Sequence, residues 1–147
     1  MAPFVVLVVA SLAFWLAGRL GVTTFQHIST VLRMALALMF LLTASAHWGK
    51  RRPDLIRMVP PQFPRPDLLV TISGMLEIAG AIGLLIPSTA TAAAICLALL
   101  LLALFPANVH AARKNLTIAG QPVPGIAMRT AIQIVFVAAL VSAAVLK

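Results

Sequence analysis

The sequence predicts an all-α fold, a polytopic bundle of transmembrane helices, on three observations. Of the 147 residues, 62% are hydrophobic and only 10% are charged, and a soluble domain of this size has too little interior to bury so many apolar side chains. The apolar residues form runs close to the ~20 residues that a helix needs to cross the hydrocarbon core. In lipid, the backbone of such a run must satisfy its own polar groups, so helix is the expected conformation.

Five runs are long enough to be spans. The first, PFVVLVVASLAFWLAG, is either a signal peptide or a retained helix; we favour the helix because no Lys or Arg precedes it and no A-x-A-like cleavage site follows it cleanly. The third and fourth runs meet at the tripeptide PST, which predicts a tight helical hairpin. The runs cover residues 3–18, 28–48, 68–86, 89–106 and 126–146.

Basic residues orient the bundle. They concentrate in the loops of residues 49–67 and 107–125, which five spans place on one face together with the N-terminus. Because Lys- and Arg-rich loops stay in the cytoplasm, this face is predicted to be cytoplasmic and the C-terminus to lie outside. The net charge of +8 is thus distributed as in membrane loops, so the lipid bilayer is an expected partner and nucleic acid is not.

Two local features of the sequence lead to further expectations. Pro53 followed by Asp54 can start a short helix in the first basic loop, since proline suits the first helical turn and a negative charge is stabilised there; an ordinary ordered loop is the equal alternative. The single cysteine, Cys96, allows neither an intrachain disulfide nor a CxxC pair, and we expect a small buried hydrophobe. Without an HxxxH motif or a cysteine cluster, no metal site is predicted.

Glu77 is one of only three acidic residues, and it lies in the middle of the third run. A carboxylate in hydrocarbon must be neutral, paired or next to water. On a helix, the positions that share a side with Glu77 are small or polar, whereas the opposite side is bulky. Small residues mark helix contacts in membranes, so Glu77 is predicted to point into the bundle. The predicted inward face comprises Val70, Ser73, Gly74, Glu77, Gly80, Ala81 and Leu84.

Other polar side chains are expected in the same half of the membrane as Glu77. Depth can be counted from the face that carries the two basic loops, at ~1.5 Å per residue. Glu77 then lies about nine residues into the third run, and Arg129 and Gln133 lie about three and seven residues into the fifth. Arg129, by way of Gln133, is therefore the predicted partner of Glu77. Arg33 either reaches toward Glu77 or snorkels to the outer surface, and its depth favours snorkelling. His47 closes the second run, and Asn108 and His110 close the fourth.

Two interpretations of this polar group are open. It either fixes helix packing only, or lines a pocket open to the cytoplasmic half that takes a quinone head group, a proton or a small substrate. No nucleophile–base pair or phosphate loop is present, so no catalytic residue is predicted. The candidate ligand-binding residues are Glu77, Arg129, Gln133, His47, Asn108, His110 and Arg33.

The segments MVPPQFPRPDLLVTISGMLEIAGAIGLLIP and FPAN carry a family resemblance. From about residue 31 to 140 the chain resembles the DoxX-like family of small bacterial integral membrane proteins. The resemblance implies a four-helix membrane core formed by spans two to five, residues 28–147, with the first span and its outer loop, residues 1–27, as an addition. The family's characteristic positions fall here on Arg33, His47, Pro60, Gly74, Glu77, Gly80, Pro106, Ala107 and Asn108.

The resemblance also implies a function, because members of this family look like membrane subunits of quinone-linked or oxidative-stress redox systems. The expected function is a non-catalytic subunit or anchor in the bacterial inner membrane, with an oxidoreductase partner and a quinone as the implied cofactor. The chain is not expected to be an enzyme by itself, since it has no cysteine pair for electron transfer. The alternatives are a small proton-coupled carrier, which would need to form homo-oligomers, and a membrane assembly factor.

Overall fold

The computed structural model describes residues 2–146, which form six α-helices, one 3₁₀ turn and a two-stranded hairpin. Five of the helices are long and apolar enough to cross a membrane. This confirms the predicted all-α class and is compatible with a transmembrane bundle. The elements are α1 (Ala2–Arg19), the 3₁₀ turn (Thr23–Phe25), α2 (Ile28–Ser45), α3 (Arg52–Met58), α4 (Pro66–Leu85), α5 (Ala90–Arg113), β1 (Thr117–Ile118), β2 (Gln121–Pro122) and α6 (Ile126–Val145).

The predicted spans match five helices to within a few residues, except at one end. Helix α5 continues through Pro106 to Arg113, so the prediction that the fourth span ends at residue 106 and a loop begins at 107 is wrong. Pro106 has no N–H to donate to the carbonyl of Leu102, but packing against neighbouring helices lets membrane helices tolerate an internal proline. The loop is correspondingly shorter, at residues 114–125. Lys147, the last residue of the predicted 28–147 unit, lies outside the described residues.

The predicted short helix in the first basic loop is confirmed as α3, with proline and Asp54 in its first turn. The backbone N–H of Ala119, between β1 and β2, donates to Asp54 Oδ2 at 2.8 Å, and Arg57 also donates to this carboxylate. These two contacts, the Ala119 bond first, hold the pKa of Asp54 below its ordinary value. The carboxylate therefore ties α3 to the hairpin, and α3 packs against α4 and α5.

Helix α2 lies at the centre of the bundle. It packs against α1, α4 and α6, while α5 packs against α4 and α6. Its buried side chains include Leu36 and Phe40, which join Leu84 of α4 and Leu140 of α6 in one apolar cluster. In lipid, contacts of this kind stabilise the fold through close packing, because the surrounding tails are as apolar as the side chains.

Close approach of α4 and α5 depends on a glycine. A Cβ atom placed on Gly80 would lie 2.5 Å from Cγ and Cδ2 of Leu97, well inside the ordinary separation of about 3.5–4 Å for carbon atoms. The absence of that methyl group lets the two helices of the predicted hairpin pack directly against each other.

Candidate functional site

The inward face predicted for α4 is confirmed. Glu77 is 5% exposed, whereas Met75 and Leu76 on the other side are 59% and 50% exposed. The other residues of the predicted face are buried as well, except Gly80, which is partly buried. The carboxyl group therefore lies inside the bundle, at the contact between α4 and α2. The buried residues of α4 are Val70, Ser73, Gly74, Glu77, Ala81 and Leu84.

The partners of Glu77 come from α2 and the turn that follows it. Glu77 Oε2 lies 2.6 Å from Thr43 Oγ1, and Glu77 Oε1 lies 3.9 Å from His47 Nε2. Arg129 instead donates to Asn108. The prediction that Arg129 is the partner of Glu77 by way of Gln133 is therefore wrong, because α4 presents this side chain to α2 rather than to α6.

The hydroxyl of Thr43 has one proton for two oxygen neighbours. Its Oγ1 lies 2.9 Å from the carbonyl oxygen of Phe40 as well as 2.6 Å from Glu77 Oε2. If Glu77 is ionised, Thr43 donates to the carboxylate. If Glu77 is protonated, it can donate to Thr43, which then donates to Phe40. The same geometry thus accommodates both the ionised and the protonated form of Glu77. The two forms differ in the direction of the Thr43 hydroxyl hydrogen, toward Glu77 or toward Phe40.

The ring of His47 is oriented by the backbone of α2. Its Nδ1 lies 3.1 Å from the carbonyl oxygen of Thr43, and because that oxygen can only accept, Nδ1 carries the hydrogen. In a neutral imidazole the lone pair is then on Nε2, the nitrogen that faces Glu77. A Cβ on Gly74 would lie 2.7 Å from both Cβ and Cγ of His47, so this glycine makes the space that the ring occupies.

Arg52 secures the turn that carries His47. Its guanidinium donates to the backbone carbonyl of His47 at 2.8 Å, to the carbonyl of Asp67 at 3.0 Å and to Thr71 Oγ1 at 2.9 Å. These bonds join the end of α2 to the first turns of α4. The sequence placed Arg52 only among the orienting charges, and Thr43 was not identified at all. Thr43 does lie four residues before His47, the spacing at which side chains on a helix face the same way.

The two facing atoms of this site remain accessible. Among residues 2–146, Glu77 Oε1 and His47 Nε2 have no hydrogen-bond partner. Every fully buried side-chain nitrogen or oxygen in these residues does have a partner. Both atoms therefore keep some accessible surface, although their residues are only 5% and 7% exposed.

A second polar network joins α5 and α6. Arg129 donates to Asn108 Oδ1 at 2.6 Å, Asn108 Nδ2 donates to Gln133 Oε1 at 3.0 Å, and Gln133 Nε2 donates to the carbonyl of Leu101 at 2.9 Å. Asn108 can take part because α5 continues past Pro106. The predicted site residues thus divide into two groups, one between α2 and α4 and one between α5 and α6.

The remaining candidates lie apart from both groups. Arg33 donates to the carbonyl of Ser29 and to Thr30 Oγ1, each at 3.3 Å, so its guanidinium is directed toward the start of α2 and not toward Glu77. His110 is partly buried on α5, and its imidazole makes no hydrogen bond to the part of the chain that the structure describes. Cys96 is exposed on α5, so the expectation of a buried thiol is wrong, since this side of the helix has no neighbour.

Residues 2–146 contain no group of three or more His, Cys, Asp or Glu side chains that could hold a metal ion. The chemistry available at the site between α2 and α4 is therefore that of a carboxyl group, an imidazole and a hydroxyl. These groups can accept, donate and exchange protons.

Comparison with known proteins gives one match. The model of a family described as a domain of unknown function, DUF8561, matches residues 36–144. No curated protein and no solved structure matches the chain. The matched region begins inside α2 and ends in α6, so it contains both polar networks. Since it covers about three quarters of the sequence, the chain belongs to the DUF8561 family.

Proposed function

We propose that the chain is a DoxX-like, non-catalytic subunit of a redox system in the bacterial inner membrane, and that it binds a quinone head group between Glu77 and His47. One observation carries the proposal: Glu77 Oε1 and His47 Nε2 face each other across 3.9 Å inside an apolar bundle. Polar groups at this depth are costly and are characteristic of binding sites and proton pathways.

The gap between the two atoms suits an oxygen atom of a ligand. An oxygen about 2.8 Å from both atoms would see them about 90° apart, within the broad range that a carbonyl oxygen accepts. A quinone oxygen can accept from protonated Glu77 or His47, and a quinol hydroxyl can donate to the carboxylate or to Nε2. The site can therefore hydrogen-bond both redox forms, and the electrons that interconvert them would come from the oxidoreductase partner.

The arrangement of helices supports a core with one addition. Helix α1 packs mainly on α2, and the family match begins only at residue 36. We assign α2, α4, α5 and α6, within residues 28–147, to the DoxX-like core, and residues 1–27 to an added segment. Arg52, which is partly buried and hydrogen-bonded to Asp67 and Thr71 of α4, belongs to the core structurally although it lies in the first basic loop.

The basic ends of the helices support an orientation and a docking surface. We place the N-terminus and the loops of residues 49–67 and 114–125 in the cytoplasm and the C-terminus outside, following the distribution of Lys and Arg. Lys50, Arg51, Arg57, Arg113 and Lys114 are exposed at this end. They form the surface on which an oxidoreductase partner would dock.

The test is mass spectrometry of protein purified gently from native membrane, comparing wild type with Glu77→Gln and Arg33→Gln. Glutamine preserves a hydrogen bond to Thr43 but cannot exchange a proton. Arg33→Gln is the matched control, because it removes a charged side chain from a span without touching the site. We expect a quinone on wild type and on the Arg33 variant, and its loss from Glu77→Gln. Equal quinone occupancy in all three proteins, or none in wild type, would contradict the proposal.

A second candidate is a small proton-coupled carrier. It is favoured by the position of two neighbouring titratable side chains, Glu77 inside the bundle and His47 at the cytoplasmic end of α2. A chain of this size would act as a homo-oligomer. The discriminating result is pH-dependent uptake into vesicles that Glu77→Gln abolishes, from protein that carries no quinone.

A further inference from the structure

A groove of about 580 Å³ lies between α5 and α6. Leu102 and Phe105 form one side, and residues of α6 from Thr130 to Ser142 form the other. The groove faces lipid, since Leu102 and Ile134 on its rim are 55% and 62% exposed. At ~1.5 Å per residue, its α6 wall is about 18 Å long, slightly more than one leaflet of hydrocarbon at about 15 Å. A single acyl chain can therefore lie along it.

One end of this groove is polar. Gln133 lines it and is 8% exposed, and through Asn108 it is connected to Arg129, one helical turn nearer the start of α6. A guanidinium has five N–H donors. Among residues 2–146, Arg129 makes a single hydrogen bond, to Asn108, and has no carboxylate within 4.0 Å. Most of its donors are therefore free to bind an anion.

The depth of Arg129 matches the level of lipid head groups. It is the fourth residue of α6, about 5 Å from the helix start, and a long arginine side chain at a helix end extends to the interface. Arg113 and Lys114 lie at the same end of the bundle and add positive potential, which attracts anionic lipids. Planar guanidinium groups bind phosphate oxygens with paired hydrogen bonds.

We propose that Arg129 binds the phosphate of an anionic phospholipid, one of whose acyl chains lies in the groove between α5 and α6. Asn108 orients the guanidinium, and Gln133, held by the carbonyl of Leu101, fixes Asn108. The lipid site is separate from the quinone proposal, because Glu77 and His47 lie between α2 and α4.

The test is native mass spectrometry of delipidated protein titrated with phosphatidylglycerol and with phosphatidylcholine of the same chain lengths. Wild type should prefer phosphatidylglycerol about fivefold, the factor that one basic residue near an anionic surface contributes. Arg129→Gln should lose this preference, while Arg129→Lys should keep a charge-based preference. Arg33→Gln, which removes an arginine from α2 and leaves the network between α5 and α6 untouched, should behave as wild type.

A second variant tests the groove independently of the charge. Ala138 lines the groove and is exposed, so Ala138→Phe should fill the groove without touching Arg129. It should lower the occupancy of both lipids, with helical circular dichroism unchanged.

Three results would overturn the proposal. One is an unchanged lipid preference in Arg129→Gln, and another is unchanged lipid occupancy in Ala138→Phe. The third is a dimer that Ala138→Phe dissociates, since a second copy of the chain would then occupy the groove. Failure of quinone binding at Glu77 would leave these measurements unaffected.

Discussion

Replacing Thr43 by valine removes the hydroxyl that contacts Glu77 and keeps the shape of the side chain. The contact is 2.6 Å long, and Glu77 Oε2 has no other hydrogen bond to the described residues. Hydrogen bonds between membrane helices contribute about 0.6 kcal/mol on average, whereas one to a charged group contributes about 1.5–3 kcal/mol. Since this carboxyl would lose its only close partner, we expect Thr43→Val to lower the free energy of unfolding by about 2 kcal/mol.

The assay is equilibrium unfolding in mixed detergent micelles, with Thr43→Ser as the matched control that keeps the hydroxyl. In the background of Glu77→Gln, the effect of Thr43→Val should fall toward the average membrane value of about 0.6 kcal/mol, because a neutral amide replaces the acid. A loss below about 0.5 kcal/mol in the Glu77 background would refute the argument that this bond holds the buried carboxyl group. Equal effects in both backgrounds would show that Glu77 is uncharged in the folded protein.

Three further predictions concern the glycine at His47, the network between α5 and α6, and the β1–β2 hairpin. Gly74→Ala should abolish quinone retention because the new methyl group would displace His47. Gly80→Ala should instead destabilise the fold yet leave retention intact, and mass spectrometry with unfolding measurements distinguishes the two effects. Intact retention in Gly74→Ala would contradict the proposed site. Asn108→Leu should destabilise the protein by about 1–3 kcal/mol, because Gln133 and Arg129 lose a buried partner; unfolding that matches wild type would count against the network. The backbone N–H of Ala119 should titrate by NMR with a midpoint below 3.8, the ordinary pKa of an aspartic acid, because that N–H and then Arg57 lower the pKa of Asp54. The contact between Asp54 and the hairpin is thus fully present above pH 3.8 and is lost as the pH falls through the lowered pKa of Asp54 in the folded protein. Asp54→Asn should abolish the titration. A midpoint at or above pH 3.8 would contradict the contact.

Periodicity was sufficient to predict which side of α4 is buried. Ser73, Gly74 and Glu77 recur at spacings of three and four and are buried together, because a helix imposes 3.6 residues per turn regardless of its neighbours. The same local physics placed Asp54 in the first turn of α3. Each of these predictions needed only residues close together in the chain.

The length of α5 could not be predicted in this way. Pro106 ordinarily marks a helix end, because its ring removes a hydrogen bond and crowds the preceding turn. In this bundle the helix continues, and Asn108 is held against α6 by Arg129 and Gln133. Contacts distant in sequence therefore outweigh a local signal that favours termination.

The sequence by itself determined the number of long apolar helices and the inward face of α4, because hydropathy and helical period act along the chain. Only the tertiary structure decided the partners. Position along each helix predicts similar depths for Glu77, His47 and Arg129 but does not say which helices are neighbours. Packing of α2 between α4 and α6 brings Thr43 and His47 to Glu77 and leaves Arg129 with Asn108, since small residues such as Gly74 set how closely each pair of helices can approach.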